Sequence, residues 1–310
     1  MVVVLAGGTG GAKLAAGVQD RFGPGELTVV VNTGDDVEVH GVHVSPDPDL
    51  VTYWLAGTID ERGWGIRGDS WRVMDALEAA GRPVWFRLGD RDLAMCLIRT
   101  ELLRGGARLT DAHAAVVDAC GVGARVLPAT DEPVRTHVRT GGDWLELQRF
   151  LILERGAAPI EAVELRGAAE AEPSPEVLDA IASADAVVIG PSNPVISIGP
   201  ILAMPAVREA IERTPAPVVA VSPFVRGQVL KGPTDPFMAH AGHDRSAAGI
   251  AAAYAGLIDG IVTDEPGEDV AVPVLQTDTL MRDAADRGRL AAETVDFASA
   301  LGGSHATRND

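Results

Sequence analysis

The chain opens on an unbroken apolar, β-branched run, Val2–Ala6, which stops at a glycine-dense turn and gives way to a helical pattern over Lys13–Phe22. Further short apolar runs at Leu27–Val31, Ala186–Ile189, Val218–Val221 and Gly260–Val262 lack polar alternation. That pattern belongs to strands covered on both faces. Helical spacing recurs between them at Ser70–Ala80, Leu93–Leu103, Asp111–Ala119, Pro200–Arg213 and Ser246–Leu257. Strands alternating with helices predict right-handed crossovers and an α/β fold with a doubly wound, mainly parallel, Rossmann-like sheet. From about Arg125 to Gly167 the period becomes two, as in Val134–Thr140 and Ile160–Leu165, which predicts half-exposed antiparallel strands. The expected organisation is a core of residues 1–124 and 168–310 carrying a small α+β insertion at 125–167, with a frayed tail from Gly302.

In such a sheet the loops at the carboxyl ends of neighbouring strands line one crevice. The first, Gly7-Gly8-Thr9-Gly10, brings backbone N–H groups and a helix N-terminus within reach of a phosphate. It is neither a Walker loop nor a dinucleotide fingerprint, because Lys13 precedes Leu14 rather than Ser or Thr and occupies the third small position. The second strand runs into Asn32-Thr33-Gly34-Asp35-Asp36, and Asp47 and Asp49 follow in Ser45–Asp49. Hard carboxylate oxygens in a loop suit Mg2+, so the two loops together suggest a nucleotide with a divalent metal. His40 and His43 have no third nitrogen or sulfur ligand nearby and read as hydrogen-bonding residues.

Three further polar loops are expected on the same side. Arg87–Asp92 offers Arg87 and Arg91 to phosphate, and Asp90 and Asp92 to hydroxyls or base edges. Gly190–Pro200 and Ser222–Gly232 follow the next two strands. No Gly-x-Ser-x-Gly elbow occurs and neither cysteine adjoins a histidine, which disfavours covalent catalysis.

Composition narrows the partners. With 44 acidic against 26 basic residues, the net charge of -18 argues against nucleic acid and against anionic membranes. Lysine occurs only at Lys13 and Lys231, which reads as a GC-rich coding bias. Cys96 and Cys120 form no zinc spacing or disulfide framework and are expected as reduced, largely buried thiols. The absence of a signal pattern and of a long apolar run leads to the expectation of a soluble, cytoplasmic protein.

Taken together, Gly7–Gly10, Asn32–Asp36, Ser45–Asp49, Leu88–Asp92, Gly190–Pro200 and Val219–Pro223 occur in the order seen in 2-phospho-L-lactate transferases. The chain resembles these CofD/FbiA enzymes of coenzyme F420 biosynthesis over nearly its whole length. The resemblance implies a homodimeric, Mg2+-dependent enzyme. The donor would be a GDP ester of phosphoenolpyruvate or phospholactate, and the acceptor the terminal ribityl hydroxyl of the deazaflavin Fo; GMP leaves. Gly7, Gly8, Thr9 and Gly10 would then hold the donor's phosphates, and Ser192, Asn193 and Ser197 its guanosine nucleotide. Asp35, Asp36 and Asp49 would hold Mg2+ or orient the hydroxyl, with Asp36 or Asp49 as a candidate general base; Asp49 and Arg87 would meet the deazaflavin. Asn32, Asp90 and Arg91 fall in the same motifs. The alternative is a nucleotide-sugar-binding regulator of the related gluconeogenesis-factor type, which shares the glycine loop and the Asn/Asp segment; an NAD(P) oxidoreductase fits less well, since the fingerprint is broken.

Overall fold

The computed structural model describes residues 1–267 and 269–306. In chain order its strands are β1 (Val2–Ala6), β2 (Leu27–Val31), the hairpin β3 (Val37–Val39) and β4 (Val42–Val44), β5 (Arg125–Pro128), β6 (Arg135–Thr140), β7 (Asp143–Glu146), β8 (Ala162–Arg166), β9 (Ala186–Ile189), β10 (Val218–Val221), the ribbon β11 (Phe224–Val225) and β12 (Gln228–Val229), β13 (Gly260–Thr263) and β14 (Val274–Gln276). Seven of them form one sheet in the order β14-β13-β10-β9-β1-β2-β5. Every pairing in it is parallel, with Val2 opposite both Leu27 and Ala186. The chain moves outward from β1 through β2 to β5, then returns to the other side of β1 at β9. The loops after β1 and β9 therefore flank the switch point, where open α/β sheets bind ligands.

Burial explains why these runs are strands. Val3, Val4, Leu5 and Ala6 are all 0% exposed, and each buried Val or Leu contributes roughly 1.5–3 kcal/mol relative to exposure. One face of the sheet packs on α1 (Gly8–Phe22), α2 (Pro46–Leu55) and the C-terminal helix Ala284–Ala306. The other packs on helices Pro175–Ala182, Gly199–Leu202, Pro205–Arg213 and Ala247–Ala253. Gly17 lets α1 meet the C-terminal helix closely, since a Cβ there would stand 2.3 Å from the Arg287 carbonyl oxygen. Three more helices, α3 (Arg72–Ala79), α4 (Asp90–Arg104) and α5 (Leu109–Ala119), precede β5.

Several boundaries differ from the sequence reading. Helix α1 begins at Gly8, not Lys13, so the glycine turn is itself the first helical turn. Glycine costs about 1 kcal/mol in a helix, which hides such a start from the pattern. Pro200–Arg213 divides into two helices at Pro205, whose missing N–H cannot continue a helix. Arg125–Pro128, expected in the insertion, pairs with β2 as the sheet's edge strand. The antiparallel unit follows it, in the order β7-β6-β8, with helix α6 (Leu147–Leu153) against it. The final helix continues through Ala306, and the remainder of the tail, 307–310, lies outside the described residues. Among the described residues no helix is long and apolar enough to cross a membrane.

Candidate active site

A cavity of about 860 Å3 opens over the carboxyl ends of β1, β2, β9 and β10. Ten of the expected site residues line it: Gly7–Gly10 after β1, Asp35 after β2, Asp49 in the first turn of α2, Arg87, and Ser192, Asn193 and Ser197 after β9. The remaining four, Asn32, Asp36, Asp90 and Arg91, do not line it.

The glycine turn is shaped by its neighbour across the switch point. A Cβ on Gly10 would stand 1.9 Å from the Pro191 carbonyl oxygen, and one on Gly11 2.7 Å from Ser192 Oγ. Only glycine lets the 190–197 loop cross here. Two N–H groups are engaged by the protein itself: Gly7 donates to Ser192 Oγ at 3.3 Å and Gly8 to Asp47 Oδ1 at 2.6 Å. Helix α1 has no side-chain cap and no acid in its first turn. Its leading N–H groups, which have no partner within the helix, therefore give the cavity a positive helix end suited to an anion. Opposite them, Asn193 Oδ1 accepts from the N–H groups of Val195 and Ile196 at 2.9 and 3.3 Å, while its buried Nδ2 has no partner.

Against this stands a group of buried carboxylates. Asp35 accepts from Gln148 Nε2 at 2.7 Å, and its pKa is raised well above the ordinary value by burial and by the charges of Asp47 and Asp36. Burial pushes Asp47 up to about 6, although Asn32 Nδ2 (2.9 Å) and the Gly8 N–H both donate to it. Asn32 sits beneath the cavity as a brace, and its Oδ1 accepts from the Gly34 N–H at 2.8 Å. Asp36 is a layer deeper: His43 Nε2 and Ser45 Oγ each lie 3.0 Å from its Oδ2, while its buried Oδ1 has no partner.

Asp49 is spoken for. The guanidinium of Arg99, itself 0% exposed, contacts both of its oxygens, the Nη1–Oδ2 bond measuring 3.1 Å. Burial raises the Asp49 pKa and Arg99 opposes it. Arg99 also donates to the His43 carbonyl at 3.3 Å and lies 3.4 Å from His113 Nδ1. Burial, then the charge of Arg99, hold His113 well below its ordinary pKa, so it is neutral. Nearby, Tyr53 OH donates to Asp92 at 2.7 Å; burial and the Asp49 charge push Asp92 up to about 7. Ligand atoms of Asp49, Asp92 and Cys96 lie within 4.8 Å of one another, but burial raises the Cys96 thiol well above its ordinary pKa. A protonated, soft ligand does not suit Mg2+.

The Gly-Asp-Arg-Asp segment splits by helix geometry. Asp90 and Asp92 begin α4 two residues apart, so they face opposite ways. Asp92 lines the cavity, whereas Asp90 turns out and accepts from Ser70 Oγ (2.6 Å) and the Arg72 and Val73 N–H groups. Arg91 reaches only the Arg67 carbonyl, at 3.4 Å. Arg87 keeps to the cavity rim, held by Asp75 at 2.6 Å and Glu78 at 2.9 Å.

Sequence reasoning passed over Arg99, the wall formed by Trp64, Trp85 and Phe86, and both lysines, Lys13 and Lys231, which line the cavity. The scarcity of lysine was the available signal, and coding bias does not explain why both copies face one space.

The chain matches the family model described as 2-phospho-L-lactate transferase CofD over residues 2–296. It belongs to the CofD family. A phosphoenolpyruvate transferase of Kitasatospora aureofaciens is 40% identical over 89% of this chain and 92% of that one. One of Streptomyces coelicolor is 40% identical over 91% and 90%, and a 2-phospho-L-lactate transferase of Methanosarcina mazei is 38% identical over 85% and 87%. The fold is shared with a UPF0052-family protein of Bacillus halodurans, at a TM-score of 0.60 and 19% identity over 94% of this chain and 98% of that one. This CofD-family chain is a transferase, and its relatives support a place in coenzyme F420 biosynthesis.

Proposed function

We propose that this transferase moves a phosphoenolpyruvyl or 2-phospholactyl group from a GDP-linked donor to the terminal ribityl hydroxyl of Fo. The hydroxyl oxygen forms a bond to the phosphorus bearing the three-carbon acid, the bond from that phosphorus to GMP breaks, and the hydroxyl proton is lost. The observation that carries the reading is the meeting, in one cavity of about 860 Å3, of an uncapped helix start and a carboxylate cluster. That volume suits two substrates held together.

Within this reading Gly7–Gly10 receive the diphosphate, and Ser192, Asn193 and Ser197 the rest of the nucleotide. The unpartnered Asn193 Nδ2 is a donor available to it. Mg2+ would be held by Asp35 and Asp47, carboxylates that line the cavity and whose burial beside other acids a cation would relieve. The ion would supply neutralisation of the donor's phosphates. Asp49, bridged by Arg99, orients the acceptor hydroxyl together with Arg87, and Trp64, Trp85 and Phe86, which line the cavity, supply aromatic surface for a flat ring. Alignment and charge neutralisation are what such a transfer chiefly needs. The reading includes a homodimer, which light scattering tests.

Purified protein is incubated with Fo and each GDP-linked donor, with Mg2+ or with EDTA, and the product is weighed by mass spectrometry. The expected outcome is the phosphodiester of Fo from at least one donor, equimolar GMP, and no product with EDTA. Absence of product from both donors would overturn the proposal.

A further inference from the structure

The two lysines of this chain come to the cavity from different directions. Lys13 lies in the second turn of α1, and Lys231 in the segment after the β11–β12 ribbon. Neither ammonium has a carboxylate partner among the described residues, in a chain with 44 acidic side chains. Lys13 Nζ donates to the Met281 carbonyl at 3.2 Å and stands 5.6 Å from the Trp54 ring centre. Lys231 Nζ donates to the carbonyls of Arg62 at 2.8 Å and Gly63 at 3.4 Å. The Lys231 head reaches the glycine turn, since a Cβ on Gly63 would lie 2.6 Å from its Nζ and 3.9 Å from Thr9 Cγ2, and it is close enough to Lys13 to feel that charge.

This is an unfavourable arrangement for the protein alone. Burial lowers both pKa values, helped at Lys13 by the Arg287 charge and at Lys231 by Lys13 itself. Two cations lining one cavity, Lys13 half-buried and Lys231 exposed, with unused N–H donors, are relieved by an anion placed between them. Lysine, a compact point charge, serves phosphate, whereas arginines such as Arg99 and Arg108 fork onto carboxylates.

We propose that Lys13 and Lys231 form a two-sided clamp for a diphosphate, Lys231 leaving the Arg62 and Gly63 carbonyls to take it. The clamp rests on the proposed function and deepens it by assigning residues to the donor's diphosphate.

Calorimetric titration of the full chain with inorganic pyrophosphate, GDP, UDP and guanosine tests this, with folding checked by circular dichroism. Lys13→Met and Lys231→Met should each raise the Kd for pyrophosphate, GDP and UDP at least tenfold and leave any affinity for guanosine unchanged; Lys231→Arg should stay within threefold of wild type. Wild-type affinity in either Met variant, or no binding of pyrophosphate and GDP by the wild type, would overturn the clamp. The two proposals fail separately. Lysine-dependent diphosphate binding without transfer to Fo upholds the clamp and sinks the transfer, whereas transfer by an enzyme whose Met variants bind GDP normally does the reverse.

Discussion

The two sides of the cavity are built on opposite principles. On the glycine side, backbone packs on backbone: Gly10 has no room for a methyl group beside Pro191, and the reward is a helix start left open to the cavity. On the acidic side, Asp35, Asp36, Asp47, Asp49 and Asp92 are buried together, and Arg99 neutralises only Asp49 directly. The first is set by close backbone packing and turns open donors to the cavity; the second is a set of buried acids short of cations. The difference teaches that the glycine side should respond to an anion and the acidic side to a cation.

The comparison breaks most sharply at Asp49. Asp49→Ala leaves Arg99 buried and unpaired, so it should cost about 3–5 kcal/mol of unfolding free energy. Urea denaturation measures this, and the apolar pair Asp49→Leu with Arg99→Met should recover most of the loss. Activity of the single alanine variant therefore reports folding as well as chemistry. Next comes the glycine side: Gly10→Ala should cost roughly 3 kcal/mol through the clash with Pro191. Gly8→Ala should cost only about 1 kcal/mol, because its space is open and its φ of +69° is the sole penalty.

A third effect is pH dependence. The carboxyls of Asp47 and Asp92 move from an ordinary 3.8 to about 6 and about 7 in the folded state. Raised folded values mean the native state binds these protons more tightly than the unfolded chain does. The stability they confer is complete below the unfolded pKa and is lost as pH rises through 6 and 7. Thermal melts without metal should fall by several degrees from pH 5 to pH 8. Asp47→Asn with Asp92→Asn should flatten that slope, and Mg2+ should shrink it. The smallest effect belongs to Arg91→Ala, which should change kcat/KM less than threefold, since its guanidinium reaches only a carbonyl outside the cavity.

Much of the fold was legible because β1, β2, β9, β10 and β13 are continuous apolar runs, buried on both faces. The edge strands were not. β5 is four residues including an arginine and a proline, and β14 is three half-exposed residues, too short for a pattern to emerge. At the site, loops that follow strands were placed correctly over the sheet. Side chains on helices were harder, because Asp90 and Asp92 are equivalent in a motif and opposite on a helix. Arg99 was invisible for another reason: an arginine in a polar helix reads as solvated, and its partner lies 50 positions away. Nothing local marks such a pair.

The confinement of every lysine to one cavity has a practical consequence for handling the protein. The α-amine of Met1 pairs with Glu26 at 3.1 Å and with Asp185. Tags, crosslinkers and sensor-chip couplings that react at lysine will therefore land in the cavity that both lysines line.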